Sequence, residues 1–299
     1  MIPQKASSAM RSTPRLFISL ALITLPATAM AHRQWLVPSA TTFSGLTNSV
    51  AVDAASSNDL FFADHRPMQL NSVKVWAPDG SEGKIENAAT GSSRSTFDVK
   101  LDKPGTWKIG TQTSSVMGSF KLNGVERRVG GRGGMGLGGP GMGPGAADGP
   151  ARPQPVSVAE IPAEATDVKL TEVIGRNEIY VTADAPSETV FNATGKGIEF
   201  QPVTHPDSLV VGETASFRFL VDGKAAAGLK VTVVPGGKRY RNDDGARDFT
   251  TGADGVARIA WPAAGLYWIN ATVTDDKPSE PRASQRRLSY TTTVEVLLP

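Results

Sequence analysis

The sequence contains no cysteine, and this absence removes several kinds of chemistry at once. Without thiols the chain has no disulfide, no cysteine nucleophile, no iron–sulfur cluster and no zinc site of the usual cysteine-rich kind. The G-x-S-x-G, H-E-x-x-H and P-loop motifs of common enzymes are also missing from the sequence. No set of residues stands out as catalytic, so the sequence predicts a protein that is not an enzyme.

An excess of charge of one sign is also lacking once the first residues are set aside. Residues 1–31 contain three basic residues and no acidic one, so removing them takes the formal net charge of the chain from +2 to −1. Nucleic-acid binding needs clustered, uncompensated lysine and arginine. The sequence therefore predicts no nucleic-acid partner.

The amino terminus has the pattern of a secretory signal peptide. Lys5, Arg11 and Arg15 precede a short apolar run at 16–25, and the small residues at 27–31 form two overlapping A-x-A sites. We expect residues 1–31 to be removed on export to the periplasm. No other stretch approaches the roughly 20 apolar residues of a membrane span, so none is predicted.

The rest of the sequence is dominated by strand patterns. Short alternating runs are separated by turns rich in glycine, proline, aspartate and asparagine, which is typical of antiparallel β-sandwiches. The fold class predicted is all-β, with two immunoglobulin-like or transthyretin-like sandwich domains. The predicted strands are 72–76, 95–101, 106–110, 178–182, 189–193, 214–221, 229–234, 256–261, 266–273 and 289–298.

One segment breaks this pattern. Residues 130–155 include eleven glycines and five prolines, and such a composition cannot bury enough apolar surface to form a core. We expect a disordered insertion in the N-terminal domain, because the strand at 178–182 has no obvious partner further along the chain. The predicted domains are therefore residues 32–196 and 197–299.

Several short motifs resemble a known bacterial periplasmic family of unknown function, which is often labelled nickel-uptake-associated or NikM-like. The motifs are A-H-R-Q-W-L-V-P at 31–38, N-D-L-F-F at 58–62, G-I-E-F-Q-P-V-T-H-P at 197–206, and the D-G-K and T-x-x-D-G turns at 222–224 and 251–255. The second half is also similar to transthyretin-like, carboxypeptidase-regulatory-like modules. The resemblance implies two periplasmic β-sandwich domains and suggests a link to nickel uptake.

The three histidines are the candidates for metal chemistry. Cleavage after Ala31 makes His32 the first residue, so that its α-amine and imidazole can chelate one ion. Cleavage after Ala29 instead places His32 third, where amine, backbone amides and imidazole can form a square-planar site for Cu(II) or Ni(II). The hypothesis is a copper or nickel site at His32, completed by His65 or His205, with Asp64 as a further ligand or a residue that orients a ring.

Two functions from different classes remain open at this stage. The first is a non-catalytic periplasmic accessory protein that binds Ni(II) or Cu(II) for an uptake system and contacts an envelope transport protein. The second is a structural or interaction module that binds an envelope protein or polymer through the sandwich loops. A copper oxidase with an N-terminal histidine brace is a third hypothesis, and it requires a second histidine and an open axial position on the ion.

Overall fold

The structure is a computed structural model that describes residues 32–130 and 154–299. The predicted signal peptide lies outside the described residues, and so does nearly all of the predicted insertion. The described strands, in chain order, are β1 (Arg33–Pro38), β2 (Thr42–Phe43), β3 (Asn48–Ser57), β4 (Arg66–Pro67), β5 (Val73–Trp76), β6 (Glu82–Gly83), β7 (Glu86–Thr90), β8 (Ser95–Leu101), β9 (Gly105–Leu122), β10 (Val125–Val129), β11 (Thr166–Ala183), β12 (Ile198–Pro202), β13 (Thr214–Val221), β14 (Lys224–Ala225), β15 (Lys230–Pro235), β16 (Arg247–Thr250), β17 (Val256–Ala260), β18 (Gly265–Asp275) and β19 (Gln285–Val296).

The helical elements of the described residues are single 3-10 turns. They are Leu70–Ser72, Val158–Glu160, Thr189–Phe191 and Lys238–Tyr240. No described helix has the length and apolar character needed to cross a bilayer. The predicted all-β fold class is confirmed.

The described residues form three sheets. A five-stranded sheet has the order β1-β3-β8-β7 with β4 beside β3, and a four-stranded sheet has the order β12-β13-β14 with β17 beside β13. Between them a ten-stranded sheet has the order β16-β15-β18-β19-β11-β9-β5-β6, with β10 and β2 at its side. Most ladders are antiparallel, whereas β11 pairs with β19 in parallel.

The two smaller sheets cover opposite faces of the ten-stranded sheet. In β11, Ile179 and Val181 belong to a core with Phe97 of the five-stranded sheet, whereas Tyr180 belongs to a core with Phe217 of the four-stranded sheet. Alternate residues of a strand point to opposite faces. At the end of β11 the odd-numbered residues therefore pack into one core and the even-numbered residue Tyr180 packs into the other. Every residue from 177 to 183 is buried as a result.

Some strand predictions were confirmed and others were wrong. The bounds of β8 and β13 coincide with the predicted strands 95–101 and 214–221. The predicted strand at 189–193 is instead a 3-10 turn, whose Val190 and Phe191 pack into a core. The predicted strand 178–182 is the end of a strand of 18 residues, where β9 pairs with all five positions and the downstream strand β19 pairs only with Glu178. The domain division at 196 stays a prediction, and strands from both sides of it share the ten-stranded sheet.

A buried arginine joins three segments of the C-terminal half. Arg286 donates to Asp222 at 2.6 Å and to Asp275 at 2.7 Å. The hydrogen bonds from Arg286 lower the pKa of each carboxyl group below its ordinary value. A carboxyl whose pKa is lower in the folded state stabilises the fold above its unfolded pKa of about 3.9, and this stabilisation is lost as the pH falls below it.

We therefore expect the free energy of unfolding to fall as the pH drops below about 4, because the unfolded chain then takes up protons at both carboxyl groups before the folded protein does. Arg286→Gln should flatten this dependence because the two pKa values then return towards their ordinary range. Urea unfolding at a series of pH values measures the slope. An equal slope in the variant would assign the acid sensitivity to other groups.

Candidate metal centre

Two of the predicted metal ligands lie against each other. His32 directly precedes β1 and His65 directly precedes β4, and both of these strands pair with the end of β3. The two imidazole rings stack with their centroids 3.5 Å apart and their planes 7° from parallel. His32 is exposed and His65 is half-buried, so the pair is open to solvent on one side.

Loop 58–65, which ends at His65, is closed by its own hydrogen bonds. Ser57 accepts a hydrogen bond from the Trp35 indole at 2.6 Å and donates to the carbonyl of Asp59 at 2.6 Å. The carboxylate of Asp64 accepts the backbone N–H groups of Asn58 at 2.9 Å and Asp59 at 3.4 Å. Asp64 therefore shapes the loop that carries His65.

A small apolar cluster supports both histidine segments. Trp35 of β1 and Leu60 of loop 58–65 pack with Val234 of β15 and Trp268 of β18. The Trp268 indole also donates to the backbone carbonyl of Gln34 at 3.0 Å, which attaches the residue after Arg33 to the ten-stranded sheet. The start of β1 and the loop thus rest on strands of the C-terminal half.

The stacked pair fits a metal ion only after a change of ring orientation. Imidazole lone pairs lie in the ring plane, so two nearly parallel rings do not direct them to one point. His32 is exposed and has room to rotate away from the stack. Among the described residues no three His, Asp or Glu side chains are grouped closely enough to hold a metal ion. Within the described residues, an ion at this pair would take its further ligands from main-chain groups or water.

His205 lies in a different cluster. Its Nδ1 is hydrogen-bonded to Asp207, its Nε2 is 3.0 Å from the hydroxyl oxygen of Thr106, and its ring packs edge-on against Phe191. Burial opposes ionisation of Asp207, but hydrogen bonds from His205 and Ser208 outweigh it and hold the pKa of the carboxyl below its ordinary value. The sequence left His65 and His205 as alternatives beside His32, and the structure places His65 there.

Thr106, His205 and Asp207 have the order of a hydroxyl, base and carboxylate in a hydrolase, and sequence reasoning missed this set because it spans distant strands. The hydroxyl of Thr106 is fully buried, lies 3.1 Å from that of Thr182 and accepts the backbone N–H of Ser187 at 3.0 Å. A nucleophile must reach its substrate, and this hydroxyl has no exposed surface. The cluster ties β9, β11 and the segment after β12 together.

The fold and this site define an all-β sandwich protein with a stacked histidine pair at its surface. A family model described as "Domain of unknown function (DUF4198)" matches residues 29–275, and the chain belongs to this family. The matched range includes His32, Asp64, His65 and His205. The description assigns no function, so the nickel label and the transthyretin-like resemblance stay predictions.

Other comparisons add little. No curated protein matches the chain in sequence. Similar solved structures include the D0-D1 domain of intimin, at 11% identity over 88% of this chain and 97% of that one, with a TM-score of 0.19. The human OSCAR ligand-binding domain is similar at 10% identity over 89% of this chain and 99% of that one, with a TM-score of 0.19. A marsupial T cell receptor is similar at 10% identity over 89% of this chain and 74% of that one, with a TM-score of 0.21. Such low TM-scores carry no argument about function.

Proposed function

We propose that this chain is a non-catalytic periplasmic accessory protein that binds Cu(II) or Ni(II) at His32 and His65. The observation that carries the proposal is the contact between the two imidazole rings at the surface. Imidazole suits both metals, and rotation of the exposed His32 ring out of the stack would let both imidazoles reach one ion. The ion is the cargo of the protein, which passes it to an envelope transport protein.

The remaining ligands come from signal-peptide cleavage after Ala31. That cleavage gives His32 a free α-amine, which forms a chelate with its own imidazole, and His65 adds a third nitrogen. The α-amine has an ordinary pKa near 8, so protons compete only modestly at neutral pH. Cleavage after Ala29 gives a chelate that needs no second histidine, so the position of His65 favours the first alternative.

Calorimetric titration with Cu(II) and Ni(II) tests this function. We expect one ion to bind per chain of the mature protein that begins at His32, with a dissociation constant at or below about 1 μM, equivalent to about 8 kcal/mol. A protein with one glycine added before His32 loses the amine chelate and should bind more weakly. Equal affinity of the two proteins, or no binding by either, would contradict the proposal.

A second candidate function rests on a separate observation. Tyr240 is 84% exposed, and beside it the guanidinium of Arg239 lies 3.9 Å from the ring centre of Phe62, which is 42% exposed. Tyrosine and arginine are enriched among the residues that dominate protein interfaces. This favours an interaction module for an envelope protein or polymer. The metal content of protein isolated from its own periplasm discriminates the two functions.

A further inference from the structure

The two segments that carry the histidine pair are contacted by a loop from the other half of the chain. This loop, residues 236–246, joins β15 to β16. Its Asp244 accepts a hydrogen bond from Arg33, the residue after His32, at 2.9 Å. The guanidinium of Arg33 also lies 5.4 Å from the ring centre of Trp268, so the start of β1 is held from two directions.

The same loop holds the segment that carries His65. Lys238 forms an ion pair with Asp59 at 3.2 Å, and Arg239 lies over the ring of Phe62. Below them the ring of Phe61 packs directly on Gly236, where a Cβ atom would lie 2.8 Å from the ring. Loop 236–246 therefore contacts the segment of each histidine.

Loop 236–246 is itself well fixed. The guanidinium of Arg241 donates to the backbone carbonyls of Gly236 at 2.6 Å, Pro235 at 3.0 Å and Asp244 at 3.2 Å. The carboxylate of Asp243 accepts the N–H of Gly245 at 2.9 Å, which closes the turn. These bonds draw the beginning and the end of the loop towards one side chain, so the groups that contact Arg33 and Asp59 have fixed relative positions.

We infer that loop 236–246 is a clamp that holds the segments carrying His32 and His65 side by side. The functional role of the clamp rests on the proposed metal function. The geometric claim, in contrast, concerns only the contact between the two histidine rings. Two ligands bind one ion more tightly when surrounding contacts already hold their segments side by side, because only the rings then have to rotate. The two histidines belong to the N-terminal half of the chain, and a loop of the C-terminal half thereby holds their segments in place.

The test removes the two charged contacts of the clamp. Asp244→Asn with Lys238→Met breaks the ion pairs to Arg33 and Asp59, and Asp248→Asn with Lys230→Met is the matched control. The control removes an exposed pair at 2.8 Å between β15 and β16, so both double variants lose one lysine and one aspartate charge.

Two readouts are taken on the mature protein that begins at His32. The first is the nuclear Overhauser effect between the two imidazole rings in the metal-free protein, and the second is the dissociation constant for Cu(II). We expect the clamp variant to lose the ring contact and to bind Cu(II) about tenfold more weakly, since supporting contacts of metal ligands typically contribute 10- to 100-fold. The control variant should keep the ring contact and the affinity for Cu(II). Its melting temperature should be similar to that of the clamp variant.

A ring contact that persists in the clamp variant overturns the inference, and so does an equal loss in the control. If the ring contact depends on the clamp while the unaltered protein binds no Cu(II), the clamp is supported and the proposed metal function fails. The ring contact thus separates the two ideas without any metal present.

Discussion

Gly110→Ala should lower the free energy of unfolding by about 3 kcal/mol, because overpacked interiors usually cost about 1–3 kcal/mol and this site has little freedom to adjust. Gly110 lies in β9 between Lys74 of β5 and Glu178 of β11. A Cβ atom there would be 2.4 Å from the carbonyl oxygen of Asn177 and 2.8 Å from the Cα of Glu178. Both atoms belong to the backbone of a strand that is buried on both faces.

Gly175→Ala is the matched control, since it lies in the same pair of strands. Its Cβ atom would meet only the side-chain hydroxyl of Thr113 at 3.1 Å, and that side chain can rotate. We expect a change within about 1 kcal/mol, since alanine also reduces the freedom of the unfolded chain. Urea unfolding of both variants measures the difference. Equal effects would mean that β9 and β11 separate easily, contrary to the fold described above.

His65→Ala should weaken Cu(II) binding about 100-fold, if His65 is a direct ligand of the ion at His32. Loss of a supporting contact alone weakens metal sites 10- to 100-fold, so loss of a ligand belongs at the upper end of that range. Calorimetric titration of the mature protein measures the effect. His205→Gln is the control, because His205 is hydrogen-bonded to Asp207 and Thr106 and is not grouped with the other two histidines.

Under the alternative of a chelate without His65, neither variant changes the affinity for Cu(II). In that case His65→Ala binds Cu(II) as tightly as the unaltered protein, and only the first residues of the mature chain matter. A weakened His205→Gln variant would instead restore His205 as the completing ligand. The circular dichroism of each variant confirms that the sandwich is intact before titration.

The sequence predicted best those strands that have one buried face. β8 and β13 alternate apolar and polar residues, so their bounds could be located from the pattern alone. β9 and β11 were predicted far too short, because their buried halves contact sheets on both faces and their other halves are largely polar. Period-two alternation is absent from such strands, and only the tertiary structure reveals their length.

The metal hypothesis was predicted from residue types, but its geometry was not. The scarcity of histidine and the place of His32 at the predicted signal cleavage site pointed to the first candidate ligand. Which histidine accompanies it depends on the pairing of β1 and β4 with β3 and on the closure of loop 58–65, and neither has a local sequence signal. The contacts of loop 236–246 with Arg33 and Asp59 could not be predicted either, because these residues are far apart in the sequence.

The central strands have a consequence for reading mutational scans of this protein. Neighbouring positions in the last part of β11 report on different cores, so Ile179 and Tyr180 are adjacent in the chain yet belong to separate packing environments. A smoothed profile of tolerance along these residues would average two unrelated signals into one. Odd and even positions must be scored as separate series before either core is assigned a sensitivity to substitution.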